Sequence, residues 1–147
     1  MIFKTITIGA DHAGFEIKEK IRKFLETDLP DVNVTDEGTY SSESVDYPDF
    51  AHRVGEKVSR QEVEAGIVIC GSGNGVCITA NKHKGVRAAL CWTREIAELA
   101  RQHNNANVLC IPARFVSGET VVEMTKAFLT TVFEGGRHAK RTDKIEQ

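Results

Sequence analysis

Short apolar runs alternate along the chain with stretches whose apolar residues recur every three or four positions. The runs predict β-strands at 2–8, 32–36, 65–70, 86–91 and 107–112. The longer period predicts helices at 14–27, 48–60, 74–82, 93–104 and 118–134. In the first helix Ile17, Ile21, Phe24 and Leu25 make one apolar face. In the fourth, Ile96, Leu99, Ala100 and His103 follow the same spacing, and in the last, Val121, Met124, Phe128 and Val132 form a stripe. Ser117 is placed to cap that helix, and Gly135-Gly136 to end it. Strands alternating with helices imply an α/β fold of three layers: a five-stranded parallel sheet with helices on both faces. No repeat, low-complexity segment or linker interrupts the pattern, so residues 1–147 read as one domain.

Two segments break the alternation. The loop 37–47, "EGTYSSESVDY", is the longest irregular stretch, and such loops often bind ligands. In "AGIVICGSGNGVCITANK" a buried strand ends on Cys70 and passes through Gly71, Ser72, Gly73, Asn74 and Gly75 before a helix resumes. Glycines there let the backbone take positive φ and come close to a ligand, and unpaired amides at a helix start suit an anion. In an open parallel sheet ligands bind at the carboxyl ends of the strands. Asp11 and His12 in "GADHAG", Cys70 with its glycine turn, and Arg114 in "IPARF" all fall on that edge. A carboxylate, an imidazole, a thiol, an arginine and a glycine cradle together favour a small anionic substrate.

Composition removes several classes. The 147 residues are 41% hydrophobic and 27% charged, with a formal net charge of −2, and carry no long basic run, so nucleic acid is not an expected partner. No apolar stretch has the length of a membrane span, and the start reads as a first strand instead of a signal peptide. Cys70, Cys77, Cys91 and Cys110 form no C-x-x-C pair, which favours reduced thiols in a cytoplasmic protein over disulfides or a zinc site. The glycine turn lacks the G-x-G-x-x-G order and the first-strand position of a dinucleotide fingerprint.

Each candidate also has a plain structural explanation. Cys77, Cys91 and Cys110 read as apolar filler, whereas Cys70, at a strand end beside a helix start, could be a thiolate acting as base or nucleophile. His103 completes an apolar stripe and reads, from its spacing alone, as a core histidine. His52 and His83 read as surface residues of helices. Arg137 and Arg141, four apart in a basic tail with His138, would share one face of a helix and could grip phosphate or merely be solvated. Tyr47, at the end of the long loop, could pack or donate its hydroxyl.

The segments "GADHAGFEIKEKI", "SSESVDYPDFA", "GIVICGSGNGVCITANK", "ARQHNNANVL" and "EGGRHAKR", in order and spanning residues 4 to 141, resemble the ribose-5-phosphate isomerase B family, which includes the galactose-6-phosphate isomerase subunits. The resemblance implies an aldose–ketose isomerase of a three-layer, Rossmann-like α/β fold that interconverts ribose 5-phosphate and ribulose 5-phosphate through an enediolate in the pentose phosphate pathway. It implies no metal and no cofactor, and a homodimer or homotetramer. By the same resemblance Cys70 is the base and Gly71, Ser72, Gly73, Asn74 and Gly75 form the oxyanion hole. His103 opens the sugar ring, which reverses the reading from its spacing. Asp11, His12, Tyr47 and Asn104 contact substrate, and Arg114, Arg137 and Arg141 surround the phosphate. A branch of the family replaces the cysteine by a glutamate just after the glycine loop; Val76 stands there, so this chain is similar to the cysteine branch.

Topology adds a constraint. Cys70 ends a strand, but His103 ends a helix just before the next strand, and Arg137 and Arg141 follow the last helix. These groups start from the opposite edge of the sheet, which predicts a site at the subunit interface, with the tail 135–147 packing on a partner. Two alternatives stand beside this reading: isomerisation of another phosphosugar, such as allose 6-phosphate, galactose 6-phosphate or a tetrulose phosphate, and a nucleotide-binding module without catalysis.

Overall fold

The computed structural model describes residues 2–147. The elements run β1 (Thr5–Ala10), α1 (Phe15–Asp28), β2 (Asn33–Asp36), α2 (Tyr47–Ser59), β3 (Ala65–Cys70), α3 (Asn74–Ala80), β4 (Ala88–Leu90), α4 (Arg94–Asn104), β5 (Val108–Pro112), α5 (Gly118–Thr130) and α6 (Arg137–Ile145). All strand pairings are parallel, in the order β2-β1-β3-β5-β4. The α/β sheet architecture expected from the alternation is the one observed.

The direction of each crossover decides which face its helix covers. A right-handed connection moving toward β2 and one moving toward β4 put their helices on opposite sides. The connections through α1 and α4 run one way along the sheet, and those through α2 and α3 run the other. Accordingly Ile21, Leu25, Ala97, Ala100, Met124 and Phe128 of α1, α4 and α5 pack in one core, while Val54, Val58, Val76 and Ala80 of α2 and α3 pack in the other. The strands alternate between them: Ile67 and Ile69 face the first core, Val68 and Cys70 the second. β1 and β3 are neighbours whose chains leave in opposite directions, and this opens a crevice at their carboxyl ends.

Several boundaries differ from expectation. β1 lies at Thr5–Ala10, not 2–8, because the Ile2 amide bonds the Leu129 carbonyl while the ladder to β3 continues through Ala10. β4 shrinks to Ala88–Leu90, since the Val86 amide is turned back onto His83. α5 stops at Thr130 instead of 134; beyond it the chain is extended, the Thr131 carbonyl accepts from Arg101, and Val132 is exposed. The fourth-helix stripe is shifted: Ala97, Ala100 and Arg101 are buried, Leu99 is exposed and His103 half-exposed. The tail folds as α6, whose His138 and Thr142 are buried where it meets α4 of its own chain, while Arg137 and Arg141 share the exposed face. Thr93 and Ser117 cap α4 and α5 by accepting the Ile96 and Thr120 amides.

Candidate active site

The β1/β3 crevice holds a cavity of about 480 Å³. Asp11, Tyr47, Cys70, Gly71, Ser72, Gly75 and Arg114 line it, together with Phe115. Seven of these were candidates from the sequence. Phe115 was not, because a lone exposed aromatic after "PAR" carries no chemical signal; it is 76% exposed and is the wall on the open side.

Each lining group is held by its element. Asp11 is buried directly after β1; its Oδ1 accepts the Gly14 amide at 3.1 Å, and its other oxygen has no partner among the described residues. A side chain at Gly14 would strike Ile69, so glycine is required for α1 to start against β3. His12 accepts the Val45 amide on Nδ1 at 3.2 Å. A neutral imidazole that accepts on Nδ1 carries its proton on Nε2, so His12 presents a donor on its other side.

Gly73 has φ +74, and a Cβ there would strike Leu90. That conformation turns the chain from β3 into α3. Ser72 is exposed, and its Oγ accepts the Asn74 amide at 3.3 Å. Gly71, Ser72 and Gly73 donate no amide hydrogen bond to the described residues. Gly75 has room for no side chain because the Tyr47 ring lies on it. Arg114 folds back over Gly71, and its amide donates to the Gly71 carbonyl at 3.0 Å. The turn therefore presents free amides beneath a guanidinium, with Cys70 at its start.

The other cysteines differ from Cys70. Burial pushes the Cys110 thiol well up, and Cys91 up to about 12. Cys77 is lowered, chiefly by a hydrogen bond from Cys110. These three sit between sheet and helices, and only Cys70 opens on the cavity. Burial of Cys91 and Cys110 agrees with the filler reading; Cys77 is half-buried.

His103, Asn104, Arg137 and Arg141 do not reach this cavity within one chain. The α4 C-terminus carries His103, whose ring stacks on His138 with centroids 4.3 Å apart and planes 7° from parallel. Glu134 lies 3.4 Å from His138 Nε2 and 3.9 Å from His103 Nε2. Burial first, then His103 and Arg137, hold His138 below the usual histidine value. Asn104 faces a separate groove beside Arg87 and Glu146. His52 and His83 are not independent surface residues: Nδ1 of His52 lies 2.8 Å from Nε2 of His83, which sits in the turn after α3 because a glycine at 55 makes room for its ring.

No helix among the described residues is long and apolar enough to cross a membrane. Residues 6–145 match the family model described as Ribose/Galactose Isomerase. The chain is 48% identical over 142 residues to the probable ribose-5-phosphate isomerase B of Mycoplasma genitalium, covering 95% of this chain and 92% of that one. It is 44% identical to the ribose-5-phosphate isomerase B of Escherichia coli K12, over 97% and 94% of the two chains. Among solved structures, a Thermotoga maritima ribose 5-phosphate isomerase superposes with a TM-score of 0.92 at 46% identity, over 97% of each chain. The Mycoplasma genitalium enzyme with bound ribulose-5-phosphate gives 0.91 at 47%, over 97% and 93%. With a matching fold, the family's segments in order and near-complete coverage, the chain belongs to the ribose/galactose isomerase family.

Proposed function

We propose that this chain interconverts ribose 5-phosphate and ribulose 5-phosphate, with Cys70 as the base and the turn Gly71–Gly75 as the oxyanion hole. The observation that carries the reading is the conjunction at one strand end of a cavity-facing thiol and free backbone amides. A hydrogen on carbon beside a carbonyl is only weakly acidic, so a base must work together with donors on the oxygen. One well-aimed donor contributes about 3–4 kcal/mol.

In the forward direction the Cys70 thiolate removes the C2 proton of the open-chain aldose. The C–H electrons form the C1–C2 double bond of the enediolate, and the negative charge gathers on O1 beneath the amides. The thiol then returns the proton to C1, and the hydroxyl proton of O2 passes to O1 with Ser72 as carrier. The sum leaves no net oxidation. Asp11 and the Nε2 proton of His12 hold the sugar hydroxyls, Tyr47 and Asn104 its flank, and Arg114 the phosphate end.

Ring opening needs a further proton carrier, and His103 supplies it. Since His103, Asn104, Arg137 and Arg141 lie outside their own chain's cavity, we assign them to the cavity of a second copy. The assembly is a dimer or a pair of dimers, with α6 at the junction and each site made by two chains. The exposed Leu99 and Phe115, one near His103 and one at the cavity rim, supply apolar surface for such an interface. The reduced thiols suit a cytoplasmic enzyme of the pentose phosphate pathway. Six-carbon phosphosugars are the second reading, favoured by the breadth of the family description, and the loop 37–46 would set the accepted length.

The test is isomerisation of ribose 5-phosphate in EDTA by the wild type and by Cys70→Ala. Turnover that collapses in the folded variant supports the assignment. Full turnover by the variant makes Cys70 filler, and a folded wild type active only on six-carbon substrates moves the reading to the alternative.

A further inference from the structure

We propose that His103, Glu134 and His138 form a binding site for one divalent transition metal ion of the zinc class, and that the bound ion switches the isomerase off by holding His103. The effect on turnover rests on the ring-opening role given to His103 above; the binding does not.

Two imidazole nitrogens and one carboxylate oxygen lie within 4.8 Å of one another. Tetrahedral zinc with nitrogen and oxygen ligands at about 2.0–2.1 Å sets its ligand atoms about 3.3 Å apart. The Glu134–His138 distance of 3.4 Å already meets this, and the Glu134–His103 distance of 3.9 Å is slightly long. The donor set is that of borderline metals, Zn²⁺ above all, and not of Mg²⁺ or Ca²⁺, which prefer oxygen alone. Three protein ligands leave a fourth position for water.

The backbone holds the three residues together without a metal. The Glu134 amide donates to the Gln102 carbonyl at 3.1 Å, which pins the segment after α5 to the last turn of α4. Gly135 and Gly136, both at positive φ, then turn the chain so that α6 starts with His138 facing His103. His138 is 9% exposed at its side chain, so its ring is fixed, while His103 at 41% has room to move.

The stack itself is the mobile part. In parallel rings the nitrogen lone pairs run side by side and do not converge on one ion. Metal binding therefore turns the His103 ring off His138. Its nitrogen, once on the metal, cannot carry the ring proton. The positive charge of Arg137 and Arg141, on the same helix, weakens the hold on a cation, which suits reversible inhibition.

Metal-stripped protein is titrated with Co²⁺ and then Zn²⁺, followed by visible absorption, with isomerase activity measured in parallel. The expected result is one equivalent per chain, with visible d–d bands, no thiolate charge-transfer band, displacement by Zn²⁺, and inhibition that EDTA reverses. Glu134→Gln, at a half-exposed position, retains its fold by circular dichroism and weakens binding by more than the roughly 10–100-fold that outer-shell changes cost. Cys70→Ser retains the bands. Absence of binding overturns the proposal and leaves the isomerase reading standing. A sulfur charge-transfer band lost in Cys70→Ser also overturns it, since the ion would then sit on the thiol. Binding with the predicted bands in a protein that shows no isomerase activity supports the site while the functional reading fails.

Discussion

Lys18 and Asp36 form an ion pair at 2.7 Å in which the lysine side chain has no exposed surface. The ammonium also reaches Glu19 at 2.9 Å and lies against the rings of Phe15 and Tyr40. Asp36 in turn accepts the Gly38 amide at 2.8 Å, and its carbonyl accepts the Tyr40 hydroxyl at 3.0 Å. The Gly38 carbonyl then accepts the Ala10 amide at 2.7 Å, one residue before Asp11. A buried charge on α1 thus anchors the loop 37–46 to the end of β1, beside the groups that contact substrate.

Replacing Lys18 by Met removes one partner of a buried pair and leaves Asp36 with Arg22, at 3.4 Å, and the Gly38 amide. The expected loss is about 3 kcal/mol, the low end for a broken buried ion pair. Urea denaturation measures it, and KM should rise more than kcat falls because the loop holds Val45 against His12.

Gly75→Ala should damage the site more than the fold. A methyl group there strikes the Tyr47 ring, which must leave its place against the turn. Steady-state kinetics should show a fall in kcat/KM of about tenfold or more, for a loss of stability of about 1–3 kcal/mol.

Arg101 is 4% exposed and has no carboxylate partner among the described residues; burial lowers its pKa to about 10. It donates to the Thr131 carbonyl, the Asn105 side chain and the Ala106 carbonyl, and lies over Phe3 and Phe128. Arg101→Met keeps the apolar stem and removes the donors. Each buried acceptor left without a partner costs about 1–3 kcal/mol, so thermal unfolding should move down by several degrees.

The His52–His83 pair predicts an acid-side loss of stability. Burial, then the neighbouring His52, lowers His83 below its usual 6.5. A depressed folded pKa means that the unfolded chain binds the proton more readily, so the contribution is present above the unfolded value and lost as pH falls through the folded one. Chemical denaturation should show stability declining from about pH 6.5 downward, and His83→Gln should flatten that slope.

Much of the fold and half of the site were legible in the chain. The apolar period located the five strands and the five helices α1 to α5, though not α6, and the glycines after Cys70 marked the turn because a Cβ at 73, where φ is +74, would strike Leu90 and one at 75 would strike the Tyr47 ring. The stripe through Leu99 and His103 misled because an exposed apolar residue on a surface helix and a buried one look alike in sequence; the buried face of α4 is instead filled by alanines and the stem of Arg101. The Lys18 anchor was invisible, since Lys18 lies on α1 and its partner Asp36 ends β2, 18 residues on. The His103–Glu134–His138 cluster depends on two positive-φ glycines and one amide bond to Gln102, which spacing along the chain does not reveal.

The central claim is that each site is made by two chains, and mixing two inactive variants tests it most directly. Cys70→Ala and His103→Asn are each purified, unfolded, mixed in equal amounts and refolded, with chain exchange verified by native mass spectrometry. Half of the dimers are then mixed, and each mixed dimer has one site free of both substitutions. The account predicts that the mixture regains about a quarter of wild-type activity while each variant alone stays inactive. A mixture that has exchanged chains and is as inactive as its components would contradict it, because Cys70 and His103 would then act within a single chain.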